Sequence, residues 1–144
     1  MLMAVALIGL SLALTGEVWR TAALREKEAQ LLYVGNQYRS AIGRYYLAGP
    51  ARYPRSLEEL LKDSRQARTE RYLRKLYPDP VTGKAEWGLV KTPAGEITGV
   101  YSLSDEKPFR VAGFAAGNRF DGATKYSEWK FVYEASGQAP IGNR

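Results

Sequence analysis

The amino-acid sequence predicts an α+β fold in which one long N-terminal α-helix packs on an antiparallel β-sheet. Three observations carry that prediction. No proline occurs before Pro50, and residues 17–48 are rich in the helix formers Ala, Leu, Glu, Arg and Lys. Within that stretch Leu31, Val34, Tyr38, Ile42 and Tyr45 recur at spacings of three and four, which puts them on one helical face. Near the other end, YSEWKFVYEA alternates Trp129, Phe131 and Tyr133 with Glu128, Lys130 and Glu134, the period-two pattern of a half-buried strand.

The helix begins in an apolar run. Residues 1–16 carry no charged side chain, and as a helix they would cover ~24 Å at 1.5 Å per residue. The hydrocarbon layer of a bilayer is about 30 Å thick, so the run is roughly four residues short of a comfortable span. That shortfall points to residues upstream of Met1. A cleaved secretory signal would need a basic segment ahead of the apolar run, and none precedes it. A buried core helix is a further alternative, and a membrane-embedded helix is the reading adopted. Leu2, Val5, Leu7, Ile8, Leu10, Leu12 and Leu14 are then the candidate membrane and assembly residues.

Charges are scattered through residues 17–30, while the apolar stripe starts only at Leu31. The first half of the helix is therefore expected to project clear of a globular body and the second half to pack on it. Gly49 and Pro50 supply the stop. The chain divides accordingly into an anchor over 1–16, a continuation of the helix over 17–48 and a globular domain over 49–144.

In that domain YPRSLEELLKD reads as a short helix with a capping box between Ser56 and Glu59. SRQARTERYLRKLY reads as a second helix, ended by Pro78 and Pro80. The period then switches to two around Ala85, Trp87 and Leu89, KTPAGEITG supplies turn residues, and ITGVYSLS reads as the next strand. SDEKPFRVAGFAAGNRFDGATK, rich in Gly and turn formers, is expected to wander over the surface, and the terminal SGQAPIGNR to fray. The apolar face of the sheet needs a cover. The helical stripe of Leu31, Val34, Tyr38, Ile42 and Tyr45 is the longest apolar surface left to meet Trp129, Phe131 and Tyr133.

Composition narrows the function. The 144 residues hold 21 Lys and Arg against 15 Asp and Glu, a net charge of +6 compatible with nucleic acid, anionic lipid or acidic protein. There is no Cys and no His, which removes thiolate nucleophiles, imidazole bases, disulfides and the commonest metal ligands. No G-x-S-x-G motif or comparable catalytic signature is present, so no enzyme and no cofactor are expected.

ALIGLSLAL leading into a long helix, followed by YPRSLEELL, LYPDPVTGKAEWGLV and GVYSLS, resembles the pseudopilins of type II secretion. The resemblance spans nearly the whole chain, and it lies more in the order and spacing of these pieces than in any one of them. It implies a type IV pilin-like fold, an inner-membrane anchor with the C-terminal domain in the periplasm, and assembly through the apolar helix into a short filament that helps push folded cargo outward. The implied partners are other pseudopilin subunits, the inner membrane and secretion-system assembly proteins, with nucleic acid not expected. The sequence departs from the family pattern in lacking its leader, its Gly-Phe processing site and the glutamate five residues into the mature chain. A late start would account for both this and the short apolar run.

Major members of that family often carry a calcium site before their last strands, and Asp105, Glu106 and Asp121 lie in a comparable region. Three scattered acids have no recognisable ligand spacing, so no metal is expected. Arg65, Arg68, Arg71 and Arg74 suggest a solvated face, and Lys75 joins them in the alternative. The alternative is a contact surface for phosphates or an acidic partner, as in a minor type IV pilin that binds DNA through a basic helix.

Overall fold

The computed structural model describes residues 2–135, with side chains from Gly16 onward. One unbroken helix, α1 (Leu2–Ala48), spans 47 residues, about 70 Å at 1.5 Å per residue. Three strands follow, β1 (Gly88–Lys91), β2 (Ile97–Tyr101) and β3 (Phe131–Val132), and they form one antiparallel sheet in the order β1-β2-β3. The α+β class and the helix-on-sheet arrangement stand as expected. The candidate side chains at Leu2, Val5, Leu7, Ile8, Leu10, Leu12 and Leu14 and the terminal SGQAPIGNR lie outside the described residues.

The stripe is buried as its spacing required. Leu31, Val34, Tyr38, Ile42 and Tyr45 are all in the core, joined by Ala41. Residues 16–27 are mostly exposed. Burial begins at Glu28, three residues before the predicted stripe, for a reason the sequence pattern does not carry.

The sheet is smaller than the sequence suggests. Of the predicted strand YSEWKFVYEA only Phe131 and Val132 are strand residues, opposite Val100 and Gly99 of β2, with one further backbone bond from the Tyr133 N–H to the Thr98 carbonyl at 2.9 Å. Tyr126–Glu128 instead forms a 3₁₀ turn, held by the Glu128 carboxylate, which accepts from the Thr124 N–H at 2.6 Å. The alternation still sorts the faces: Trp129 and Phe131 are fully buried, Lys130 is exposed and Tyr133 is half-buried. Trp129 is drawn into an aromatic cluster, stacked on Phe120 at 5.4 Å and edge-on to Phe114 and Tyr126. That packing replaces the ladder at this point.

Two further expectations are corrected. Leu57–Leu60 is a single 3₁₀ turn with no side-chain cap from Ser56. Glu59 reaches past Ser56 to the Arg55 N–H at 3.2 Å and accepts from the Tyr45 hydroxyl at 2.7 Å, so it serves α1 instead of its own helix. Residues 64–77 form no helix. Asp63 and Glu70 exchange backbone hydrogen bonds at 2.8 and 3.1 Å and close a loop between them. Leu73 alone of that segment is buried, too little apolar surface to fix a packed helix.

The long segment before β3 does not merely cross the surface. Phe120 is in the core and Phe114 packs against it. Arg39 of α1 donates to the Gly117 carbonyl at 2.7 Å and to Asn118 Oδ1 at 3.0 Å, which ties the segment to the helix.

Candidate assembly site

Two features organise this chain: the long helix α1 and the clamp that fixes its second half to the sheet. The clamp is visible in atomic detail. α1 carries glycines at 35 and 43, eight residues and thus about 80° apart round the helix, within the width of one packing stripe. A Cβ added at Gly35 would fall on the Phe131 ring, and one at Gly43 would lie 2.7 Å from Tyr133 Cδ2. The two glycines are the seats into which the aromatics of the last strand descend. Glycine costs roughly 1 kcal/mol against alanine in a helix interior, and here the missing side chain lets helix and strand approach closely.

Around this contact the core is aromatic. Tyr38 lies edge-on to Trp87 at 5.3 Å and Tyr77 at 6.4 Å. Its hydroxyl donates to the Tyr77 carbonyl at 3.0 Å, an oxygen that also accepts from Trp87 Nε1 at 2.7 Å. Burial pushes the Tyr38 phenol up to about 12, so it stays neutral and donating throughout the physiological range. The sequence-chosen residues Leu31, Val34, Tyr38, Ile42, Tyr45, Trp129, Phe131 and Tyr133 thus belong to one packed cluster, with Tyr133 at its rim.

Three polar anchors escaped the sequence reading. The first is Glu28, only 4% exposed. Its carboxylate accepts from the Tyr126 hydroxyl at 2.8 Å, from the Phe109 N–H and from the Arg110 N–H at 3.2 Å. These donors lie between 81 and 98 residues along the chain, so no local motif announces them. Burial, with the adjoining carboxylate, raises the Tyr126 phenol above its ordinary value. Glu28→Gln is expected to cost about 1–2 kcal/mol, since the charge that holds three donors is lost. Hydrogen exchange at the Phe109 and Arg110 amides should then accelerate while the amides of β2 stay protected. Unchanged exchange at those two amides would contradict the assignment.

The second anchor closes the C-terminal end of α1. The last carbonyls of a helix have no partner within it, and the last turn of α1 contains no basic residue. Arg65 supplies the missing cation from outside. Its Nη2 donates to the Tyr45 carbonyl at 2.7 Å, its guanidinium lies 3.5 Å over the Tyr45 ring, and Asp63 receives its Nε and Nη2 at 2.9 and 2.8 Å. Tyr72 donates its hydroxyl to the same carboxylate at 3.0 Å, and Gln66 Nε2 donates to the Ala48 carbonyl. The fork of Arg65 beside Asp63 holds that carboxyl down at about 2. Arg65 is therefore a helix cap and not part of a solvated face.

The third anchor is Asp79 of the PDPVTGK stretch, fully buried. One oxygen accepts from the Val81 N–H at 2.9 Å and the other from the Ser102 hydroxyl at 2.5 Å. An Asx turn thereby fastens the approach to β1 against the end of β2.

The remaining arginines share no helical face once the predicted helix is gone. Arg68 is exposed, Arg71 Nε donates to the Leu61 carbonyl at 3.2 Å, and Arg74 and Lys75 are exposed, with Lys75 lying 5.3 Å from the Tyr77 ring centre. The five cations assigned to a basic helix occupy no common helical face. Of the three acids weighed for calcium, Asp105 faces Lys125 at 3.8 Å and accepts from Ser127 at 3.2 Å, while Asp121 is exposed elsewhere. No group of three carboxylates gathers among the described residues.

Among the described residues no helix is long and apolar enough to cross a membrane. The side chains of the apolar run are not among them. Comparison with protein-family models, with curated proteins and with solved structures finds no match to this chain.

Proposed function

We propose that this chain is a structural subunit of a pilin-like filament, of the kind that the pseudopilins of type II secretion form. The observation that carries the reading is the continuity of α1: one 47-residue helix joins the apolar run to a half clamped on the sheet, without a break or a proline. A single-pass anchor in a bacterial inner membrane, with the globular domain in the periplasm, makes use of both halves. The apolar half is sheathed first by lipid and later by the helices of neighbouring subunits, since both offer apolar surroundings. Val18 and Trp19, 70% and 73% exposed, carry the apolar surface beyond the run and give a Trp at the height where a bilayer meets water. Other subunits, the inner membrane and assembly proteins are the partners in this reading. It needs no catalytic group and no cofactor.

The chain has no native cysteine, so single cysteines report cleanly on it. Leu7→Cys or Leu10→Cys in full-length protein should resist alkaline extraction from membranes and yield a ladder of multimers with a short thiol cross-linker. Leu47→Cys, exposed beside the helix end, should give none at the same reagent length. Protein released by alkaline extraction, or monomeric at both apolar positions, would rule the reading out.

A further inference from the structure

The arginines left over from the capping of α1 do not disperse at random. Arg71 and Arg74 meet Arg44 of α1 along a groove of about 460 Å³ that Tyr33 and Tyr77 also line. No carboxylate lines it, and none of the three guanidinium groups forms an ion pair among the described residues. Two of them are instead tethered by backbone carbonyls: Arg44 Nη2 donates to Tyr72 O at 2.6 Å and Arg71 Nε to Leu61 O at 3.2 Å. Each has five N–H donors, so most of their capacity remains for something else. Three cations gathered without a counter-charge repel one another. The tethers hold them in place against that repulsion.

We infer that this groove is a docking site for an acidic segment of a partner protein, whose carboxylates are received by Arg44, Arg71 and Arg74 and whose backbone lies between Tyr33 and Tyr77. The chemistry favours a protein over the alternatives. Arg and Tyr are the residues that dominate the centres of protein interfaces, and planar guanidinium forks match carboxylates two bonds at a time. A nucleic acid backbone asks for a long track of cations, commonly six to ten phosphate contacts, whereas here three converge in one concavity. A lipid headgroup is out of reach, because Tyr33 stands 17 residues, or about 25 Å of helix, beyond the end of the apolar run. The exclusion of a lipid headgroup rests on the proposed membrane anchor; the rest of the inference stands without it and without filament assembly.

The test uses full-length protein in detergent and a fluorescent peptide of alternating Glu and Ser as the probe, followed by anisotropy at low and at physiological salt. Saturable binding is expected, weakened about tenfold or more by the double variant Arg71→Gln, Arg74→Gln and left within twofold by Arg68→Gln with Arg119→Gln, which removes the same charge from outside the groove. Arg74→Gln alone, at a side chain with no hydrogen bond among the described residues, keeps the test valid if the double variant folds poorly. Absence of saturable binding, equal loss in both double variants, or tighter and groove-dependent binding of a single-stranded DNA of equal charge would overturn the inference.

Discussion

Phe131→Ala is expected to lower the stability of the folded domain by about 3–5 kcal/mol, the usual range for removing a fully buried aromatic side chain. Its partner in the experiment is Gly35→Ala. On helix propensity alone that substitution should stabilise by roughly 1 kcal/mol. In the intact protein the new methyl group would instead fall on the Phe131 ring, and overpacking of this kind costs about 1–3 kcal/mol. Gly35→Ala alone is therefore expected to destabilise. In the Phe131→Ala background the obstruction is gone, and the same methyl should become neutral or stabilising. Urea unfolding of the four proteins gives the coupling directly. A stabilising Gly35→Ala in the otherwise unchanged chain would show that the seat is not occupied as described.

Arg65→Ala is the second large effect. Removing one partner of a buried ion pair strands the other, at a typical cost of 3–5 kcal/mol. Asp63 is 3% exposed, whereas Arg65 is partly exposed, so a loss of about 3 kcal/mol is expected. The pair also fixes a pH dependence. The Asp63 carboxyl lies at about 2 in the folded chain against an ordinary 3.8. A carboxyl whose pKa is depressed on folding contributes stability above its unfolded pKa. That contribution, about 2–3 kcal/mol here, disappears as pH falls from about 4 to 2. Unfolding free energy should decline through that window in the wild-type chain and decline less in Asp63→Asn, which has nothing there to titrate. Parallel slopes in the two proteins would refute the assignment.

What the sequence made legible follows from the range of each interaction. The stripe from Leu31 to Tyr45 and the inward set of Trp129 and Phe131 were readable because a helix and a strand repeat at fixed periods, and burial follows the period. Gly35 and Gly43 lie within that same stripe, but an absent side chain gives no pattern until its occupant is known. Glu28 resembled any other charge in a charged stretch, since its three donors lie some eighty to a hundred residues away. The arginine-rich stretch misled for the opposite reason. Its residues favour helix locally, yet the unpaired carbonyls at the end of α1 and the carboxylate of Asp63 offered Arg65 and Gln66 stronger partners than a solvated helix could. Trp129 stands outside the ladder, its ring packed on three aromatic neighbours that no period-two pattern would place beside it.

The seating of the final strand on Gly35 bears on how the chain is made. Phe131 is residue 131 of 144, and at 5 to 20 residues per second a ribosome needs roughly 5 to 20 s to travel there from position 35. Throughout that interval the second half of α1 has been synthesised with its greasy side bare. A nascent chain in that condition is prone to stick to its neighbours, and, in the proposed membrane-anchored reading, early delivery of its leading end into a lipid layer would keep such chains spaced apart while the remainder emerges. Biogenesis and architecture would then impose the same order of events: tether first, and close the domain last.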